Sequence, residues 1–357
     1  MALIGTINSS NDFGLKNRII NGAMVLDQRK AGASVSVSTS GVYVLDRWKN
    51  RANGGGVFTV QQSSTAPAGF NYSTIYTVTT ADSSIAAADN YWIIHEIEGY
   101  NVADLAWGTA NAQTVTVSFW VRSSVTGTYT IALSNGTTYD RHYVSTYTIN
   151  AANTFEYKTI TIAGDTTGTW GKTNGGGISL VFNLGTGTDY QTTANAWTAG
   201  FKHGTASSTN LIATNGATFY ITGVQFEKGS TATSFDYRPF GTEFALCQRY
   251  YEKSYGLASL PGSTGRGGTI QQVNGVDGNQ IGGTKYTVPK RTNPTVTLWS
   301  DAGVAASLST TGGSNAPNAG SWAAQGANEN GFGCIVGTGG LSNSTAYYFH
   351  YAADAEL

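Results

Sequence analysis

Paired carboxylates are the first chemistry to look for in a chain of 357 residues that carries only 21 acids. A glycan-cleaving site sets two carboxyl groups about 5 to 10 Å apart across a shaped cleft. Asp82, Asp89, Asp104, Asp140, Asp165 and Asp189 are spread out, and the strand pattern pairs none of them with another. Glu96 and Glu98 stand two apart on one expected strand, so they share a face and could mimic a dyad. The plainer reading makes them neighbours partnered by arginine within a sheet. His95, His142, His203 and His350 are isolated, and no Gly-x-Ser-x-Gly turn supplies a nucleophile. No pair of His or Asp occupies metal-ligand spacing, and Asp277-Gly-Asn279 reads as a turn. The expectation is a protein that is not an enzyme and holds neither metal nor cofactor.

Binding chemistry is better represented. Neutral sugars present apolar faces ringed by hydroxyls, which suits exposed Trp or Tyr platforms set among Asn, Thr, Asp and backbone groups. The stretch from Gly164 to Asn210 has that makeup, with Trp170, Tyr190, Trp197 and His203 in long Gly/Thr/Asn loops, and Trp322 sits in a similar setting. The same side chains could instead pin their loops or fill a subunit interface.

A second constellation is ionic. Tyr43-Val-Leu-Asp-Arg-Trp-Lys49 opens, and Phe226-Glu-Lys-Gly229 with Phe235-Asp-Tyr-Arg-Pro-Phe240 closes, a long and sparsely charged stretch. Asp46, Arg47, Glu227 and Arg238 concentrate in these aromatic-rich segments, which predicts a seam where arginine and carboxylate pair, because an unpaired half-buried charge is costly. As first and last strands of a β-sandwich, the two segments would lie side by side.

The elements that must position these groups are strands. Thr114-Val-Thr-Val-Ser-Phe-Trp-Val-Arg122 alternates cleanly, with Val115, Val117, Phe119 and Val121 on one face and Trp120 and Arg122 on the other. Tyr129 to Leu133 repeats the pattern, and Asn135-Gly136 offers the φ > 0 pair of a tight hairpin into Tyr139 to Ile149. Further strands are expected around Val57 to Gln61, Thr74 to Thr79, Phe155 to Ile162, Ile178 to Leu184 and Thr218 to Phe226. Many short strands separated by Gly, Asn and Asp read as an all-β sandwich of two packed sheets, and the paired ends favour a jelly roll over residues 23–240.

A linker helix is expected within 241–255, from about Thr242 to Glu252, with Phe244, Cys247, Tyr250 and Tyr251 on one face. Beyond it, 256–357 reads as a smaller β-domain with strands at Lys285 to Val288, Thr295 to Trp299 and Ala346 to Tyr351. Aromatics fall on both faces of that last strand, so burial is expected on both, in a core and against another subunit.

Charged residues make up 11% of the chain, against about a quarter in ordinary soluble domains. With 46 glycines and a net charge of −1, the surface must be Thr, Ser, Asn and Gly, and little repulsion opposes self-association. An oligomer is therefore expected. No Lys/Arg stripe exists to neutralise phosphates, so nucleic acid and anionic membrane are poor partners, and neither nucleic-acid binding nor membrane insertion is expected. No apolar run approaches the roughly 20 residues needed to span a bilayer, and Met1-Ala-Leu-Ile-Gly lacks the look of a secretory signal. Cys247 and Cys334 are expected to be reduced thiols.

Several stretches taken together resemble a module recurrent in tail-fibre-like and spike proteins of tailed bacteriophages and prophages. They are Asn17-Arg-Ile-Ile-Asn-Gly-Ala-Met24 with Asp27-Gln-Arg29, Leu45-Asp-Arg-Trp48, and Glu98-Gly-Tyr-Asn-Val-Ala-Asp-Leu-Ala-Trp-Gly108 leading into Val117-Ser-Phe-Trp-Val121. Phe219-Tyr-Ile-Thr-Gly-Val-Gln-Phe-Glu227, Leu246-Cys-Gln-Arg-Tyr-Tyr251 and the closing His350-Tyr-Ala-Ala-Asp-Ala-Glu-Leu357 belong to the same set, whereas residues 256–345 match loosely. The resemblance implies a virion component assembled in the host cytoplasm, a homotrimeric fibre or spike built on jelly-roll modules that binds host surface polysaccharide. The absence of a long shaft points to a short fibre, spike or head fibre, with residues 1–22 docking on other virion proteins. A purely structural decoration or adaptor protein and a polysaccharide-cleaving tailspike are the alternatives.

Overall fold

A computed structural model describes residues 15–273, 278–310 and 322–357. The first half of the sandwich is β1 (Val35–Val37), β2 (Ser40–Tyr43), β3 (Trp48–Asn53), β4 (Val57–Ser63), β5 (Ser73–Thr80) and β6 (Asn90–Glu98). The second half is β7 (Val115–Ser123), β8 (Gly127–Asn135), β9 (Arg141–Ile149), β10 (Glu156–Ile162), β11 (Gly176–Thr186), β12 (Trp197–Ala199) and β13 (Thr218–Lys228). They form a six-stranded sheet, β1-β4-β5-β13-β7-β10, and a seven-stranded sheet, β12-β9-β8-β11-β6-β3-β2. Period-two alternation explains the layers: Val115, Val117, Phe119 and Val121 of β7 are all fully buried. Across the gap, Phe119 meets Phe182 of β11 at 5.0 Å and Tyr147 of β9 at 5.1 Å, so inward aromatics from both sheets interdigitate into one core.

The expected side-by-side pairing of the opening and closing strands does not occur. β3 lies between β2 and β6 in one sheet, while β13 lies between β5 and β7 in the other. Both edges of β13 are thus occupied by ladder partners, and Asp46-Arg47 forms a turn before β3, with Arg47 at φ 71 in the left-handed region. The incoming segment bridges the layers instead. Arg18 N donates to Phe226 O at 2.9 Å, Val224 N donates to Gly22 O at 3.0 Å, and Trp48 Nε1 donates to Asn21 O at 3.1 Å. Residues 17–22, expected within a docking segment, are therefore built into the sandwich; residues 1–14 lie outside the described residues.

Asp46, Arg47 and Glu227 are buried and the Arg238 side chain is nearly so, but the four do not pair with one another. Arg47 pairs with Glu356, and Arg238 pairs with Glu243 at 3.0 Å. Asp46 accepts from Gln28 N at 2.7 Å and Gln28 Nε2 at 2.8 Å, while Glu227 accepts from Thr233 N at 2.9 Å and Gln225 Nε2 at 2.8 Å. Each buried charge takes the partner offered by whichever segment packs on it, and for Arg47 that is the far end of the chain.

α1 (Phe240–Gln248) follows β13. It ends earlier than expected because Tyr251 opens β14 (Tyr251–Lys253), paired with the last strand. The remaining strands are β15 (Ile270–Val273), β16 (Gly278–Lys285), β17 (Thr295–Trp299), β18 (Ser309–Thr310), β19 (Ala323–Gln325), β20 (Gly331–Leu341) and β21 (Ala346–Asp354). β21 is the hub, pairing with β14, β15, β17 and β18, and β16-β20-β19 forms a separate sheet. The strand expected at Lys285 to Val288 instead stops at Lys285, because the Glu252 carboxylate accepts from Thr287 N at 2.8 Å and Val288 N at 3.3 Å in place of a ladder. β21 is covered on both faces by its own chain: Tyr347, Phe349 and Tyr351 enter a second core, while His350 stacks on Tyr255 at 3.7 Å. The Asn135-Gly136 hairpin is also wider than expected. Asn135 Nδ2 bonds Thr138 Oγ1 at 2.6 Å and Thr169 O at 2.9 Å, and the positive φ of 51 falls on Tyr139.

Candidate functional site

The outer face of the seven-stranded sheet carries the chemistry. Every residue of β6 is buried, because its inward side chains Tyr91, Ile93 and Ile97 join the sandwich core while Trp92, Ile94 and Glu96 face the other way under a second cover. Cross-strand register sets these outward residues in rows. Ser134, Ser179 and Glu96 align across β8, β11 and β6; Ala132, Val181, Ile94 and Lys49 form the next row; Asn183, Trp92 and Arg51 form the third.

The loop after β11 folds over part of this face. His203 packs on Trp92 with ring centroids 4.1 Å apart, and Phe201 and Tyr190 meet the same indole edge-on at 5.4 and 5.2 Å. Thr130 Oγ1 anchors the loop by donating to His203 O at 3.1 Å. What the loop leaves uncovered is a cleft of about 220 Å³ lined by Trp92, Glu96, Tyr139, Phe201, Lys49 and Arg51 among others.

Polar atoms converge there without partners. Glu96 is 3% exposed; its Oε1 accepts from Tyr139 Oη at 3.0 Å and Ser179 Oγ at 3.1 Å, whereas its Oε2 has no hydrogen-bond partner within the described residues. Trp92 Nε1 and His203 Nδ1 are likewise buried and unpartnered, as are both ring nitrogens of neighbouring His142. Such groups cost about 1 to 3 kcal/mol each when left unsatisfied. Burial pushes the Glu96 carboxyl above its ordinary range, against the opposing pull of Lys49 and of the Tyr139 and Ser179 hydrogen bonds. Burial also depresses the imidazoles, His142 to about 4 and His203 well below its usual value, so both are neutral near pH 7. On the wall, Arg51 Nε donates to Asn90 Oδ1 at 2.5 Å and its guanidinium lies 5.1 Å from the Trp92 ring, while Lys49 Nζ donates to Leu357 O at 3.2 Å.

Of the side chains expected to form sugar platforms, Tyr190 and His203 gather around Trp92 and the others lie elsewhere. Trp170 is buried, donates to Thr167 O at 3.0 Å, and meets Trp107 at 4.7 Å and Trp197 at 5.4 Å. Trp197 is half-buried and donates to Ala163 O at 2.8 Å, so these indoles pin long loops onto the sandwich. Trp322 is 1% exposed in the second core, against Gly337. The sequence pattern does not mark Trp92, Phe201, Tyr139, Lys49 and Arg51 as lining one cleft: Trp92 lies on a strand buried on both faces, which blurs its period, and the others come from β3 and from two separate loops.

The carboxylate pair on β6 is divided in role. Glu98 accepts from Arg249 Nε at 2.9 Å, Arg249 Nη2 at 2.6 Å and Tyr250 Oη at 2.6 Å, which is the structural pairing expected, whereas Glu96 receives no arginine side chain on its carboxylate. Among the described residues no cluster of three or more His, Cys, Asp or Glu forms a metal site, and no helix is long and apolar enough to cross a membrane.

No protein-family model matches the chain, and no curated protein does. Solved structures similar to it include a tailspike domain of bacteriophage CBA120, at 12% identity and a TM-score of 0.31, covering 60% of this chain and 21% of that one. A putative sugar-binding protein of Bacteroides thetaiotaomicron aligns at 10% identity and a TM-score of 0.34, over 60% of this chain and 100% of its own. A family 11 carbohydrate-binding module from a Clostridium thermocellum cellulase aligns at 10% and 0.29, over 56% and 98%. The chain thus spans about a fifth of the tailspike domain, and likeness of this degree assigns neither family nor function.

Proposed function

We propose that the protein binds carbohydrate without cleaving it, in the cleft on the outer face of the seven-stranded sheet. The observation that carries this reading is the Glu96 carboxylate: buried, fixed through one oxygen by Tyr139 and Ser179, with its other oxygen unpartnered beside aromatic walls. A sugar hydroxyl satisfies that acceptor, and the apolar face of the ring packs on Phe201 and the Trp92 edge. Catalysis by paired carboxylates is disfavoured because Glu98, the neighbouring acid on β6, is committed to Arg249 and Tyr250.

Joined to the sequence resemblance, this reading makes the protein a virion fibre or spike that attaches a phage particle to host polysaccharide. A homotrimer suits a nearly uncharged surface, and three weak sites acting together gain avidity on a polymer. The test is adsorption of purified protein to a panel of bacterial surface polysaccharides, with release of reducing ends followed alongside. Glu96→Gln, which removes the charged acceptor, should weaken binding by roughly 10- to 100-fold, and Phe201→Ala should weaken it comparably at unchanged melting temperature. Binding that is unaffected in both variants would exclude this cleft. Reducing ends released by wild type would favour a cleaving spike, and particles lacking the protein that adsorb normally would favour a structural decoration.

A further inference from the structure

The cleft is not electrically neutral. Its wall carries two cations, Lys49 on the row of Ile94 and Arg51 on the row of Trp92, and its one carboxylate, Glu96, lies beneath them at 3% exposure. Most arginines of the chain are matched to acids: Arg18 to Asp104, Arg141 to Asp165, Arg249 to Glu98, and Arg47 and Arg29 to Glu356. Arg51 forms no ion pair among the described residues. Its hydrogen bond to Asn90 Oδ1 uses Nε, which leaves the two terminal nitrogens of the guanidinium fork without an acid on a residue that lines the cleft. Lys49 donates to the Leu357 carbonyl at 3.2 Å and to no side-chain carboxylate. In so sparsely charged a chain, a half-buried Arg51 without an acidic partner, beside a Lys49 whose charge is attracted by the buried Glu96 carboxylate, incurs a desolvation cost that an incoming anion would offset.

The polar groups are also divided in space. Glu96, Trp92 and His203 line the cleft, and their buried, unpartnered Oε2, Nε1 and Nδ1 suit hydroxyl groups. A planar carboxylate matches the Arg51 fork, with Lys49 adjacent as a compact point charge. We infer that the cleft takes an acidic polysaccharide, one whose repeating sugar carries a carboxylate, with Arg51 and Lys49 receiving that carboxylate and Glu96 accepting from a ring hydroxyl. This rests on the carbohydrate reading above and adds to it the class of sugar.

Charge-assisted bidentate bonding is roughly twice as strong as its neutral counterpart, so discrimination of at least tenfold is expected against a neutral analogue. Calorimetric titration of the full chain with galacturonate trisaccharide and with galactotriose, supplemented by a panel of neutral oligosaccharides, reads this directly. Galacturonate trisaccharide should bind at least tenfold more tightly than galactotriose, and the preference should shrink several-fold between about 0.05 and 0.5 M salt as screening sets in. Arg51→Met and Lys49→Met should each erase most of the preference, while Lys49→Arg should retain it; melting temperatures identify any variant that fails to fold.

Equal binding of acidic and neutral sugars, unchanged in Arg51→Met, would overturn the acidic assignment and leave carbohydrate binding standing. Binding of neutral panel members alone would do the same. No binding of any sugar at millimolar concentration would overturn both readings together, and galacturonate binding indifferent to Glu96→Gln, Arg51→Met and Phe201→Ala would remove both from this cleft.

Discussion

Glu356→Gln tests the most consequential contact in the molecule. Arg47 is 1% exposed, and its counter-ion is the 5% exposed Glu356 carboxylate, which also reaches Arg29 at 3.2 Å. The substitution keeps the shape and deletes the charge, leaving one buried guanidinium with no acid and another with only Asp354 at 2.6 Å. Breaking a buried pair from one side typically costs about 3 to 5 kcal/mol. Arg47 retains its place 3.6 Å from the Tyr250 ring and its hydrogen bond to the Glu96 carbonyl, which argues for the lower half of that range. At about 2 to 4 °C per kcal/mol for a unit of this size, the melting temperature should fall by roughly 6 to 16 °C. Thermal and urea unfolding followed by near-ultraviolet circular dichroism measure it. A second variant sharpens the logic, because Arg47→Met/Glu356→Gln replaces the stranded charge with apolar packing and should recover part of the loss. The reasoning fails if Glu356→Gln melts within a degree of wild type, or if the double variant is less stable than both single ones.

Acid should unfold the protein partly through its buried imidazoles. Unfolded His142 takes a proton near 6.5 and folded His142 only at about 4, so below 6.5 the unfolded chain binds more protons. Stability is complete above pH 6.5 and should fall by about 3 kcal/mol from this residue as pH drops toward 4. His142→Phe should flatten that slope in urea midpoints, and an equal slope in variant and wild type would contradict it. Gly22→Ala places a Cβ against the Val224 carbonyl oxygen, which should cost about 1 to 3 kcal/mol and speed proteolysis near residue 22; unchanged cleavage rates would count against the bridging role of that segment. Trp322→Ala should lower stability by about 3 to 5 kcal/mol through loss of the second core while leaving sugar affinity intact, which calorimetry on the folded fraction would check.

The parts legible in the sequence were those governed by short-range periodicity. β7 has one dry face and another that is partly wet at Trp120 and Arg122, so Val115, Val117 and Phe119 advertise their direction, and β17 is found at its expected bounds. β6 is dry on both faces, so its alternation vanishes, and with it the outward aim of Trp92 and Glu96. Tryptophans in Gly-rich loops were ambiguous for a physical reason: Trp170 and Trp197 hold their loops by indole N–H bonds to backbone, which composition alone cannot tell from a sugar platform. The ionic seam was legible as a concentration of charge, but its partners were not. Arg47 and Glu356 are 309 residues apart, and no local pattern connects them.

β21 has a consequence for the order in which the molecule can be made. Four strands lean on this single late element, and the acids at 354 and 356 that answer Arg29 and Arg47 emerge with or after it. Until it leaves the ribosome, β14, β15, β17 and β18 have no rail to zip onto, and two cations wait uncompensated at the mouth of a sandwich otherwise ready to close. Maturation of these strands must therefore follow synthesis of β21, and a nascent chain stalled before residue 346 should present that unfinished edge to chaperones.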